Sequence, residues 1–262
     1  MRHALVLLVG ALGACDLDSR LPGNVDAPQP DADVPVDAGD DSAVDAFDAA
    51  SVTCGALAAK SSTRGLWCFR EGAGTTTANL AGCAGDITGI APADWRSGGV
   101  EPVTSLMRIP DSTCLDLGTP WEVQVEVELG TLPSRNQAVL WRADHTVGSA
   151  VPQWVRLGVS VTGQLSCEVG RNNIDAFNVQ SGAGTIAPGA HVLACKRNAS
   201  GVLTVWLDGV DVTSTTNGTP HGATTATDQD FTVGYTDAPS SIQPDTPLRV
   251  IGVIKGVAIH AE

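Results

Sequence analysis

Basic side chains are scarce. The 262 residues hold 15 Lys+Arg against 29 Asp+Glu, for a net charge of −14. No cationic cluster interrupts that balance, which excludes a nucleic-acid partner, because binding a polyanion needs grouped Lys and Arg. Aromatic residues make up 4% of the chain, with one Tyr, and no convincing amphipathic helix is present. No two cysteines lie closer than 14 residues, so the close ligand pairs of a zinc site are missing. No Ser stands in a G-x-S-x-G context. Gly72-Ala73-Gly74-Thr75 and Gly182-Ala183-Gly184-Thr185 lack the helix that a phosphate loop requires and read as β turns. What is abundant is Gly, at 29 residues, together with Val, Thr and Ser. That mixture favours short strands and turns.

The N-terminus reads as an export signal. Met1-Arg2-His3 is a short basic start, and Ala4 to Leu12 is an apolar run too short to span a bilayer. Leu12-Gly13-Ala14-Cys15 follows at once and resembles a bacterial lipobox, in which small residues precede a cysteine that is acylated. Residues 1–14 are therefore expected to be a lipoprotein signal peptide, with Cys15 the lipidation site. Acyl chains would attach the chain to a membrane without spanning it. A tether is expected over residues 15–52. Within it, Asp16 to Ala50 holds ten Asp, four Pro and one basic residue, a net charge of −9. Self-repulsion, Pro and few large apolar side chains predict an extended, disordered spacer. Its Asp residues lack the spacing of a calcium loop. The expected location is the cell envelope, periplasmic or surface-exposed.

From residue 53 to 262 the pattern changes to strand-like runs separated by turn signals. Trp121 to Leu129 alternates strictly, with Trp121, Val123, Val125, Val127 and Leu129 on one side and Glu122, Gln124, Glu126 and Glu128 on the other. Thr162-Gly163 and Asp208-Gly209 read as tight hairpin turns. Strands without helices predict an all-β, two-sheet antiparallel sandwich of jelly-roll type.

The order of motifs resembles the laminin-G-like, concanavalin A-type lectin and glucanase jelly rolls. Leu66 to Thr76 (LWCFREGAGTT) is similar to their opening W-x-F-x-E-G-x-G-T, and Asn79 to Thr88 to the following loop. Trp121 to Leu129, His191 to Ala194, Val205 to Val210 and Gly252 to His260 match later strands in order. The resemblance implies a calcium site in which a loop Asp and a paired Asp of the last strand take part. Here those places hold Asn79, Lys255 and Gly256, which leaves Asp86 and backbone carbonyls for a hard cation. No cofactor is expected and no metal-site residue is assigned, with calcium as the alternative. The glucanases of this fold place E-x-D-x-E on one strand, and Glu122-Val123-Gln124-Val125-Glu126 has that spacing. Gln124 cannot ionise, and Glu128 extends the series, so the strand reads as a solvated polar face with no catalytic residue.

Six cysteines follow Cys15, an even set that favours disulfides in an exported chain. Fifteen connectivities are open. Cys167 with Cys195 is the pairing read first, both lying in strand patterns. Cys54 with Cys68 and Cys83 with Cys114 bracket successive segments. Of the six Trp, Trp67, Trp121, Trp141 and Trp206 lie on strands and are expected in the core. Trp95 and Trp154 lie nearer loops and are the candidate ligand-binding residues, since sugars stack on aromatic faces. The expected function is a membrane-anchored, non-catalytic β-sandwich that binds a glycan or a cell-surface protein. The alternatives are an interaction module without carbohydrate affinity and a β-glucan-active glycosidase.

Overall fold

The computed structural model describes residues 52–143, 153–171, 175–219, 229–236, 248–250 and 252–261. The expected signal, Cys15, nearly all of the expected tether, His145 and His221 lie outside the described residues. None of the described helices is long and apolar enough to cross a membrane.

The main strands are β1 (Thr63–Cys68), β2 (Asn79–Gly82), β3 (Met107–Ile109), β4 (Trp121–Leu129), β5 (Gln137–Ala143), β6 (Gln153–Val159), β7 (Leu165–Arg171), β8 (Asp175–Ser181), β9 (Gly189–Arg197), β10 (Leu203–Leu207), β11 (Val210–Asp211), β12 (Thr213–Asn217), β13 (Phe231–Val233) and β14 (Val253–Ala261). They form two antiparallel sheets. One runs β12-β8-β7-β6-β5-β13-β3; the other runs β11-β10-β9-β4-β14-β1-β2. The all-β sandwich expected from the sequence is the observed architecture.

The alternation of β4 is the reason it holds the middle of its sheet. Trp121, Val123, Val125, Val127 and Leu129 are all buried, and the residues between them are not. They pack against Val155, Leu157, Val169, Phe177 and Phe231 of the facing sheet in one continuous core. Burying such side chains contributes roughly 1.5–3 kcal/mol each. Asp208 and Gly209 both have positive φ, as the turn between β10 and β11 requires. The turn around Thr162-Gly163 is wider than two residues: Ser160 N–H donates to the Gln164 carbonyl, and Val161 is exposed.

The structure pairs Cys167 with Cys195, Cys54 with Cys68 and Cys83 with Cys114, at Cα separations of 5.7, 5.3 and 5.9 Å. Cys167 is on β7 and Cys195 on β9, so this bridge crosses the core from sheet to sheet. The Cys54–Cys68 bridge holds a small hairpin, Thr53–Cys54 with Leu57–Ala58, against the outer side of the second sheet. There Leu57, Ala59, Leu66 and Ala258 make a separate apolar cluster. Gly256 makes room for it: a Cβ there would stand 3.0 Å from both Cys54 Sγ and Leu57 Cδ1.

Candidate functional site

The outward face of β4 is the floor of the site. In register across it, Glu122 lies between Lys196 of β9 and His260 of β14, Gln124 between Ala194 and Ala258, and Glu126 between Val192 and Gly256. Thr204 and Trp206 of β10 continue these rows beyond β9. The hairpin and the segment after it form a wall, which carries Lys60 and Ser62. The result is a cleft of about 360 Å³, also lined by Pro120, Trp121, Arg197, Asn198 and Val202. A second hollow of about 370 Å³ adjoins it and shares Glu122, Lys196 and Trp206.

Glu122 is the centre of the hydrogen bonding. Its side chain is 12% exposed and forms salt bridges with Lys60 and, at 3.3 Å, with Lys196. Gln124 Nε2 donates to it at 2.6 Å. Burial pushes its pKa up, but the hydrogen bonds from Lys60 and Gln124 outweigh this and hold it below the usual carboxylate value. Glu126 is turned elsewhere: its Oε2 accepts the Ala56 N–H at 2.9 Å, capping the hairpin turn. The expected solvated polar face is thus corrected. The small size of Ala194, Ala258 and Gly256 lets the wall close over β4, and both carboxylates acquire fixed partners.

Lys196 Nζ lies 3.6 Å from the centroid of the Trp206 ring, a cation–π contact. Trp206 Nε1 donates to Thr204 Oγ1 at 2.9 Å. Trp206 is half-buried on the outer face, not in the core as expected. Its position follows from pairing with Ala194, the outward-facing residue of β9. Trp141 is likewise half-buried, opposite Arg156, whereas Trp67 and Trp121 are in the core. Trp95 is also corrected: it is buried, and its Nε1 donates to the Gly74 carbonyl at 2.9 Å, so no ring face is offered to a ligand. Trp154 is half-buried on the other sheet, its ring laid across Gly170, where a Cβ would collide with it.

His260 is 3% exposed, with Nδ1 at 2.9 Å from Thr63 Oγ1. Burial, and then the charge of Lys60, push its pKa down to about 4. His191 bridges Asp208 and the Ala187 carbonyl, a structural role beside the turn. The residues at the calcium positions that the resemblance implies do not fit the ion. Asn79 spends its amide on Leu66, Ala81 and Ala84, Asp86 accepts the Asn79 N–H, and Lys255 pairs with Glu128 at 2.6 Å. Among the described residues no group of three or more His, Cys, Asp and Glu converges as metal ligands do.

Among the buried charges, Arg142 and Asp94 escaped the sequence reading because nothing in their spacing marks them. Arg142 is fully buried, bonded to Asp111 and to the Leu115 carbonyl, with the Phe231 ring 5.0 Å away. Asp94 accepts four hydrogen bonds from Thr104 and Ser105, which outweigh burial and hold its pKa low. Both tie loops to the sandwich.

No family model and no curated protein matches this chain. Solved structures do. Trypanosoma rangeli sialidase in complex with sialic acid is 15% identical with a TM-score of 0.53, covering 81% of this chain and 34% of that one. The same sialidase in complex with 2,3-difluoro-KDN has a TM-score of 0.54 at 15% identity, over the same shares of both chains. The CBM40 of Ruminococcus gnavus IT-sialidase, bound to α2,3-sialyllactose, is 14% identical with a TM-score of 0.44, covering 56% of this chain and 77% of that one. The chain spans about a third of the sialidase. At 15% identity that likeness shows the β-sandwich fold alone.

Proposed function

We propose that this chain is a non-catalytic, glycan-binding β-sandwich of laminin-G-like, concanavalin A type. In this reading a lipid on Cys15 and the acidic tether hold it at the cell envelope. The observation that carries the binding assignment is the outer-face cleft. It sets a half-buried indole beside fixed amide, hydroxyl and ammonium groups, the mixture that a sugar's C–H faces and hydroxyls use. The sialidase named above was solved with sialic acid, and a sugar comes to this chain only as a proposed ligand.

The same geometry argues against cleavage. Glycoside hydrolysis needs one carboxyl that gives up a proton and a second free to act on the sugar. Glu122 is held ionised by two lysines and Gln124, and Glu126 is spent on a backbone N–H. The test is a glycan-array screen of the fluorescently labelled protein, repeated with Trp206→Ala and Trp154→Ala. Retention on a glycan that falls at least tenfold in Trp206→Ala alone supports the cleft. Loss in Trp154→Ala alone would move the site to the other sheet. Retention of no glycan would leave an interaction module without carbohydrate affinity.

A further inference from the structure

We infer that the cleft takes an anionic sugar, one carrying a carboxylate or sulfate, in preference to a neutral one. This rests on the glycan-binding reading and narrows it to a ligand class.

Charge is the first ground. The chain has only three lysines in 262 residues and a net charge of −14, yet two of the three line this one cleft. The two lysines face a single carboxylate in the lining, Glu122. Either lysine alone would neutralise Glu122. The second leaves positive charge in a half-enclosed space, where it is screened less than on an open surface.

The second ground is independent of charge. Trp121 Nε1 and His260 Nε2 are shut off from solvent and have no hydrogen-bond partner among the described residues, and both side chains line the cleft. Each residue is 3% exposed. An indole nitrogen can only donate. His260 Nδ1 lies 2.9 Å from Thr63 Oγ1, a hydroxyl that can donate to it or accept from it. A buried indole N–H and a buried imidazole nitrogen thus lack partners in a lining that also offers ammonium donors. A buried donor left unpaired is destabilising. A ligand rich in acceptor oxygens and carrying negative charge meets both demands. A neutral sugar hydroxyl meets only the second.

The test titrates the full mature chain with methyl β-glucuronide, methyl β-glucoside and galactose 6-sulfate. Indole fluorescence reports affinity, and ¹⁵N spectra follow the Trp121 indole and His260 ring nitrogens. The expected result is an anionic sugar bound at least tenfold tighter than the glucoside, with both nitrogens shifting. Lys196→Met should remove that preference, and Lys60→Gln should weaken it if Lys196→Met fails to fold. Glucuronide binding assigns the carboxylate, and binding of the sulfated sugar alone assigns sulfate. Equal affinity for glucoside and glucuronide would overturn the inference while leaving glycan binding intact. An array with no bound glycan would overturn both.

Discussion

Glu122 and His260 face each other across neighbouring strands, and their titrations work in the same direction. The folded chain holds His260 at about 4, against 6.5 for a free side chain, chiefly through burial. Between those values the unfolded chain binds a proton that the folded chain refuses. Stability from this group is therefore complete above about pH 6.5 and falls by on the order of 3 kcal/mol as pH drops toward 4. Glu122, with its pKa lowered from 4.5, adds a loss below that value. Urea unfolding at pH 7, 5.5 and 4.5 should show a falling midpoint, and His260→Gln should flatten the fall. An equal slope in the variant would mean that His260 is not shut from solvent. Gln124 and the E-x-Q-x-E spacing were legible in the sequence. The partners of Glu122 were not, because Lys60, Lys196 and His260 come from segments up to 200 residues apart.

Among the elements, β4 was readable from end to end, since period-two alternation is what a strand with one buried face must show. The β10–β11 turn was readable for the same local reason. β12 was not: Thr213–Asn217 has no apolar side chain, and all but one of its residues are exposed. It exists because β8 offers it an edge. Among the described side chains of β8 the buried apolar ones are Phe177 and Val179, too few to stand out. The Cys167–Cys195 bridge joins β7 to β9 and so fastens the two sheets. Replacing both cysteines by Ala should lower unfolding free energy by about 2–5 kcal/mol, read from denaturant curves. A change under about 0.5 kcal/mol would show that the packed core alone fixes the sheets together.

For the whole molecule, charge is unevenly shared. Asp16 to Ala50 carries −9 and Ser51 to Glu262 −6, with Arg2 adding +1 to give −14. In the proposed reading the acidic segment is a spacer between the lipid and the β-sandwich. If a lipid at Cys15 provides the hold, Cys15→Ser should abolish fatty-acid labelling and move the protein from the membrane to the soluble fraction. Labelling that persists in the variant would refute the anchor. Fold class was legible because turns and strand patterns recur through residues 53–262. The proposed binding surface was less so, since which Trp faces outward depends on cross-strand register.

The central claim, that this sandwich binds sugar and leaves it intact, is tested most directly in a single incubation. The protein is equilibrated with a panel of oligosaccharides, neutral and acidic, and both bound ligand and newly formed reducing ends are measured. The account predicts saturable binding of at least one oligosaccharide, lost in Trp206→Ala, with reducing ends at background. Reducing ends that accumulate with the wild type and disappear in both Glu122→Gln and Glu126→Gln would contradict it.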